Sequence, residues 1–193
     1  MNLLVLGPQG AGKGTQGKRI AEDYEIPHIA TGEMFRGAVD AGTELGRRVE
    51  PILATGELVP DDLTVALIAE RLTEEDAQDG FVLDGFPRNL AQAETLDRML
   101  AGIGRDLDAI LFFDLPDAVG FERMLKRARE EGRVDDTPAV IRRRLEIYHG
   151  ETAPVVEHYR ATGKLVPLHA ERSIEQVYSE IQAALHQLQA ARA

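Results

Sequence analysis

GPQGAGKGTQ, residues 7–16, follows the apolar run NLLVL (2–6) and places four glycines and one lysine where a helix should begin. Glycine inside a helix is less stable than alanine by roughly 0.5–1 kcal/mol, so such a cluster needs a local purpose. The spacing from Gly7 through Gly12 to Lys13 is GxxxxGK, that of a phosphate-binding loop, with Gly14 after the lysine and Thr15 one place later. In such a loop successive backbone N–H groups converge on an anion, the helix that follows offers its positive end, and the lysine reaches the outer phosphates. A buried strand, a glycine loop and a helix in that order read as the first unit of an α/β sheet that binds nucleotide phosphates.

The rest of the chain repeats the alternation. FVLD (81–84) and AILFFDL (109–115) are continuous apolar runs, as expected of strands buried on both faces of a parallel sheet, and KLVPL (164–168) is a weaker one. Helical patterns lie between them. In DDLTVALIAERLT (61–73), Leu63, Leu67, Ile68 and Leu72 share a face behind Asp61, read as the N-cap. SIEQ (173–176) is a capping box, followed by a stripe of Ile174, Val177, Tyr178, Ile181, Leu185 and Leu188. Thr137 and Pro138 pair a capping residue with proline at the first helical position, and Pro154 is expected to kink or divide the helix over 137–162. The alternation predicts a doubly wound parallel sheet with helices on both faces and ligands at the carboxyl ends of its strands.

Two stretches fit that sandwich poorly. Residues 30–60 hold two short helical pieces, GEMFRGAVDAG and LGRRVEPILATG, with no buried strand between the first and second strands of the pattern, and residues 128–138 are almost wholly polar. Both read as excursions placed where flaps and lids sit. The 193 residues therefore read as one domain: a core of 1–29, 60–127 and 139–193, a flap at 30–59 and a short lid at 128–138.

Composition narrows the partners. With 44% hydrophobic and 28% charged residues, no run of 18 or more apolar residues and no signal-peptide pattern before NLLVLG, a soluble cytoplasmic protein with no membrane partner is expected. Cysteine is absent, which excludes disulfides and thiolate metal sites. His28, His149, His158, His169 and His186 are scattered without the i, i+4 spacing of a helical metal site and read as structural or surface residues. A net charge of −11 argues against nucleic acid as a partner. Yet RMLKRAREEGR (123–133) and RRR (142–144) crowd seven arginines and a lysine into 22 positions, enough to grip a compact polyanion.

Further residues point to the same crevice. Asp84, at the C-terminal end of its strand, is positioned to orient magnesium or its waters. After it Gly85 allows close approach, Pro87 stiffens the turn and Arg88 is offered to the crevice. Arg123 and Arg127, four apart on a helix, point the same way. Arg142 and Arg144 both flank the apolar stripe of their helix, and spacing does not choose between them. Arg143 lies opposite the stripe and is expected in solvent.

GPQGAGKGTQ, IATGEMFR, LVPDDL, LDGFPRNLAQAE and GRVDDTPAVIRRRLEIYH together resemble, in order and over nearly the whole chain, the corresponding segments of the adenylate kinases. The resemblance implies a fold of the P-loop NTPase type: a doubly wound five-stranded parallel sheet with helices on both faces, an inserted AMP-binding flap and a short lid. It also implies transfer of a phosphoryl group from ATP to AMP, giving two ADP, with Mg²⁺. By resemblance the ATP phosphates rest on Gly10, Ala11, Gly12, Lys13, Gly14 and Thr15. AMP is assigned to Thr31, Arg36, the Glu57, Leu58, Val59 segment, Gly85, Phe86, Pro87, Arg88 and Gln92. Arg123 and Arg127 would face the ATP phosphates, Arg133 and Arg144 the transferring group and AMP, and Arg172 the adenine of ATP through its backbone. The expected catalytic set is Lys13, Asp84, Arg88, Arg123, Arg127, Arg133 and Arg144, with Mg²⁺ carried by ATP and oriented through water by Asp84.

Two departures from the family pattern are visible. AREEGRVDDTP is far shorter than the long lid of many members and lacks Cys and His, so no structural zinc is expected. Gln9 replaces a common proline inside the loop, where no effect on chemistry is expected. Thr31 before Gly32, and Gln92, resemble adenine-reading positions, whereas UMP/CMP kinases of the same fold tend to have Ala and Asn there. A nucleotide-binding module without turnover, the other alternative, predicts missing arginines or a missing Lys13, and none is missing. Expected partners are ATP, AMP and ADP, and a monomer is expected.

Overall fold

The computed structural model describes residues 1–133 and 136–191. Strands β1 (Asn2–Leu6), β2 (His28–Ala30), β3 (Phe81–Asp84), β4 (Ala109–Asp114) and β5 (Leu165–His169) form one sheet in the order β2-β3-β1-β4-β5. Every neighbouring pair is parallel. Side chains of central β1 alternate between two apolar layers: Leu4 and Leu6 enter one, Leu3 and Val5 the other. A strand without a polar face reads as an unbroken apolar run, which is why NLLVL was legible.

Helices cover both faces. On one, Ile68 of α4 (Asp61–Arg71), Leu96 and Leu100 of α5 (Leu90–Gly102) and Val155 and Tyr159 of α8 (Ala153–Arg160) bury against the sheet. On the other, Ile20 of α1 (Lys13–Asp23) packs with Val177, Tyr178, Ile181 and Leu185 of α9 (Ile174–Ala190). The flap residues form α2 (Thr31–Asp40) and α3 (Glu44–Thr55), which share a small core of Phe35, Val49 and Val59. Met124 of α6 (Asp117–Glu131) meets Ile141 and Leu145 of α7 (Pro138–Ile147) in a fourth cluster beside the lid.

Several sequence expectations meet their outcome here. Ser173 caps α9 through a complete capping box, and Thr137 accepts from the Val140 N–H ahead of Pro138. The helix over 137–162 is divided, with a π turn at Tyr148–Thr152 just ahead of Pro154. β2 corrects the reading that no strand lies between the first and second apolar runs; at three residues, HIA, it is too short to register as a run. Asp61 is not the N-cap of α4: Pro60 holds that position, and Asp61 is the first helical residue. The α4 stripe is split as well, since Ile68 and Leu72 enter the main core while Leu63 and Leu67 pack on the flap. Ile174 leaves its expected stripe and is 51% exposed. No helix among the described residues is long and apolar enough to cross a membrane.

Candidate active site

The carboxyl ends of β1 and β3 lie side by side, with Val5 in register with Asp84, so the glycine loop and the turn after β3 leave the sheet together. Packing accounts for Gly10, where a Cβ would sit 2.5 Å from the Gly120 carbonyl oxygen of α6. Gly12 is the N-cap of α1 at φ 85°, a left-handed conformation that glycine adopts without the Cβ penalty. The loop thus runs tight against α6 and opens directly into α1. Lys13 folds back over it, donating from Nζ to the carbonyl oxygens of Gly7 (2.7 Å) and Pro8 (2.8 Å). Burial lowers the Lys13 pKa to about 8, with Asp84 opposing and Arg88 and Arg127 adding to the fall.

Asp84 ends β3 with its side chain 14% exposed at the edge of the cleft. Burial alone would raise its pKa. His28, whose Nε2 lies 3.5 Å from Oδ2, outweighs that together with Lys13 and Arg88, holding the group below the usual carboxylate range. In the following turn Arg88 donates from Nε to the Gly85 carbonyl (2.8 Å), and Thr152 donates to the Arg88 carbonyl (2.7 Å). The Arg88 pKa is depressed first by burial, with Asp84 opposing and Arg144 and Arg36 adding their repulsion. That crowding of cations in an acidic protein is the electrostatic mark of an anion site.

Two carboxylates organise the remaining polar groups. Asp136, whose side chain is fully buried, accepts from Arg127 Nε and Nη2 on Oδ2 (2.9 and 2.6 Å) and from Arg144 Nη1 on Oδ1 (2.5 Å), with Arg133 Nε 4.0 Å away. Asp61 accepts from Gln92 Nε2 (2.7 Å) and Asn89 Nδ2 (3.0 Å), while Gln92 Oε1 accepts from the Arg88 backbone N–H (2.7 Å). Arg123 reaches across to the carbonyls of Ala170 (2.8 Å) and Glu171 (3.2 Å) beyond β5.

A cleft of about 1080 Å³ collects most of the expected residues: Gly10, Ala11, Gly12, Lys13, Gly14, Thr15, Arg36, Glu57, Asp84, Gly85, Pro87, Arg88, Arg123, Arg127, Arg133, Arg144 and Arg172. Thr31, Leu58, Val59 and Gln92 instead line a small cavity of about 30 Å³ between flap and sheet, which Glu57, Gly85 and Arg88 border as well. Phe86 differs from the rest, being 1% exposed in the main core, where an aromatic ring gains more from apolar contact than from a polar cleft. Arg144 and Arg142 separate: Arg144 borders the cleft, while Arg142 lies over the Phe121 ring at 5.4 Å.

Arg143 is exposed, as expected, and pairs at the surface with Glu57 through two bonds of 2.6 and 3.2 Å, tying α7 to the end of the flap. Sequence reasoning missed the organising roles of Asp61 and Asp136 and the approach of His28 to Asp84. Asp61 reads locally as a cap, and Asp136 falls within the almost wholly polar stretch 128–138. Val134 and Asp135 of the lid lie outside the described residues. Among the described residues no group of three or more His, Asp or Glu side chains could hold a metal. Asp84 is a carboxylate set among Lys13 and Arg88 in the cleft, an oxygen donor suited to a hard ion that arrives on an anionic ligand.

The family model described as adenylate kinase matches residues 5–164. An adenylate kinase of Stenotrophomonas maltophilia (strain K279a) is 44% identical over 185 residues, covering 96% of this chain and 99% of that protein. Adenylate kinases of Parvibaculum lavamentivorans and Phenylobacterium zucineum are each 46% identical, covering 96% of this chain and 92% and 97% of theirs. A match of that identity over nearly full length, on a five-stranded parallel sheet whose glycine loop, Asp84 and arginines meet in one cleft, leads to one conclusion: the chain belongs to the adenylate kinase family of nucleoside monophosphate kinases.

Proposed function

We propose that this chain transfers the terminal phosphoryl group of ATP reversibly to AMP, giving two ADP, and so serves adenine nucleotide balance in the cytoplasm as a monomer. One observation carries the reading. Lys13, Asp84, Arg88, Arg123, Arg127 and Arg144, from four separate stretches of the chain, converge on a single cleft.

ATP phosphates would rest on the Gly10–Thr15 backbone and Lys13, with Arg123 and Arg127 above them and Arg172 near the adenine. AMP would sit under the flap, its phosphate near Arg36, Arg88 and Arg144, its base near Thr31, Val59 and Gln92. Magnesium, arriving on ATP and held through Asp84, would neutralise phosphate charge as it shifts in the transition state. The protein's own part is to align donor and acceptor oxygens, to offset negative charge with Lys13 and the arginines, and to exclude water. Direct transfer of this kind requires no nucleophilic side chain. The cavity bordered by Thr31, Val59 and Gln92 is small beside the main cleft, and residues 30–59 would swing outward to admit AMP and close over it. The lid at 128–138 would close on ATP in the same way.

A coupled assay of ATP with AMP, UMP, CMP and GMP tests the reading. AMP should be consumed much faster than the others; faster use of UMP or CMP would transfer the chain to the pyrimidine branch of the fold.

A further inference from the structure

Gln92 is only 2% exposed, and both ends of its amide are engaged by partners that permit one orientation. The Asp61 carboxylate can only accept, so it requires Nε2 on its side, at 2.7 Å. The Arg88 backbone N–H can only donate, so it requires Oε1 on the other, also at 2.7 Å. Turning the amide over would set oxygen against oxygen at Asp61 and N–H against N–H at Arg88. Asp61 is itself held by the Asn89 side chain, which donates to both of its oxygens at 3.0 and 3.2 Å. It stands at the first position of α4, directly after the flap segment whose Leu58 and Val59 border the same small cavity as Gln92.

We propose that Asp61 is a specificity-determining positioning residue, which fixes the Gln92 amide so that only a base with an exocyclic amino group beside a ring acceptor can pair with it. An amide so locked has one N–H and one oxygen lone pair left for a ligand, in a fixed order. Adenine presents an amino donor next to ring nitrogen N1, an acceptor, and meets that order. Guanine in the same pose presents a carbonyl next to an N1–H, the reverse order, and would need the amide turned over. Uracil is reversed in the same sense. A glutamine free to turn would serve either kind of base, so a residue that never touches the nucleotide sets the choice between them. The inference rests on the reading that Gln92 faces the acceptor base.

The test compares the wild type, Asp61→Asn and Gln92→Leu for kcat/KM with AMP and with GMP, and for the ATP KM. Asparagine keeps the size of the aspartate but can face Gln92 with either end of its amide, so one of the two locks is released. Losing a charge-assisted hydrogen bond of this kind should lower the AMP-to-GMP ratio about tenfold or more. The AMP KM should rise and the ATP KM stay unchanged. If Gln92→Leu leaves the ratio as in the wild type, Gln92 does not read the base and the underlying reading fails. If Gln92→Leu collapses the ratio while Asp61→Asn holds it within twofold, the reading stands and the role given to Asp61 is overturned. Equal changes in the AMP and ATP KM with an unchanged ratio would mean that Asp61 only supports the fold, which also overturns it. Should Asp61→Asn misfold, Asp61→Ser, small and compatible with a helix N-terminus, is read by the same ratio.

Discussion

Among single residues, Lys13 bears most on phosphoryl transfer. Its ammonium is buried over its own loop, with the Gly7 and Pro8 carbonyls as partners, and burial has brought its pKa to about 8. Lys13→Ala should therefore fold, since the side chain packs no core, and should lose about 10²–10³ in kcat, the usual effect of one lost electrostatic contact to the transition state. Near-normal ADP production by folded Lys13→Ala would contradict its role. A second consequence is pH dependence. On the proposed function ATP meets a charged Lys13 in the free enzyme, so kcat/KM for ATP should fall as pH rises through about 8, whereas Lys13→Arg should stay flat there. The stability sign runs the other way. The folded pKa of about 8 lies below the unfolded value of 10.5, so between them the unfolded chain binds more protons and stability rises with pH. Denaturant titrations across that window should show a positive slope that Lys13→Ala lacks.

At the scale of elements, Asp136 joins α6 to α7 by taking Arg127 from one and Arg144 from the other. Its side chain is fully buried and both arginines are largely so. Removing one member of such a cluster leaves uncompensated charge, so Asp136→Ala should lose about 3 kcal/mol in low-salt denaturation. An anionic nucleotide would refill the gap, and ATP should raise the melting temperature of Asp136→Ala by more than that of the wild type. An equal rise in both would show that the carboxylate and the nucleotide do not share those arginines. Elements also show what was legible in the sequence. β1, β3 and β4 are buried on both faces and long enough to read as apolar runs, and Ser173 and Thr137 cap helices through their own nearest neighbours. β2 is three residues long and was invisible. Asp61, Asp136 and Arg143 act on residues 31, 9 and 86 positions away, and no local pattern encodes such partners. The short motifs GxxxxGK and DGFPR named part of the expected site, and resemblance to the adenylate kinases named the rest, from Thr31 and Arg36 to Arg144 and Arg172. Phe86 belongs to the second motif, yet its side chain lies in the core.

Across the whole molecule, a protein with a net charge of −11 sets seven of its 18 arginines around one cleft. Metal should then enter with substrate and not with the fold. EDTA should stop ADP formation, and excess Mg²⁺ should restore it without zinc. The melting curve of the nucleotide-free protein should be unchanged by EDTA, because a structural ion would contribute folding free energy that chelation removes. A shift of several degrees would reveal a metal site outside the arrangement described. The most direct test of direct transfer between two bound nucleotides follows the phosphoryl group itself, using ATP labelled at the γ-phosphate and rapid acid quenching. With AMP present, label lost from ATP should be recovered in equal amount in the β-phosphate of ADP, and none should remain on the protein with or without AMP. Label released as inorganic phosphate at the rate of ATP loss, or trapped on the protein when AMP is absent, would contradict the account.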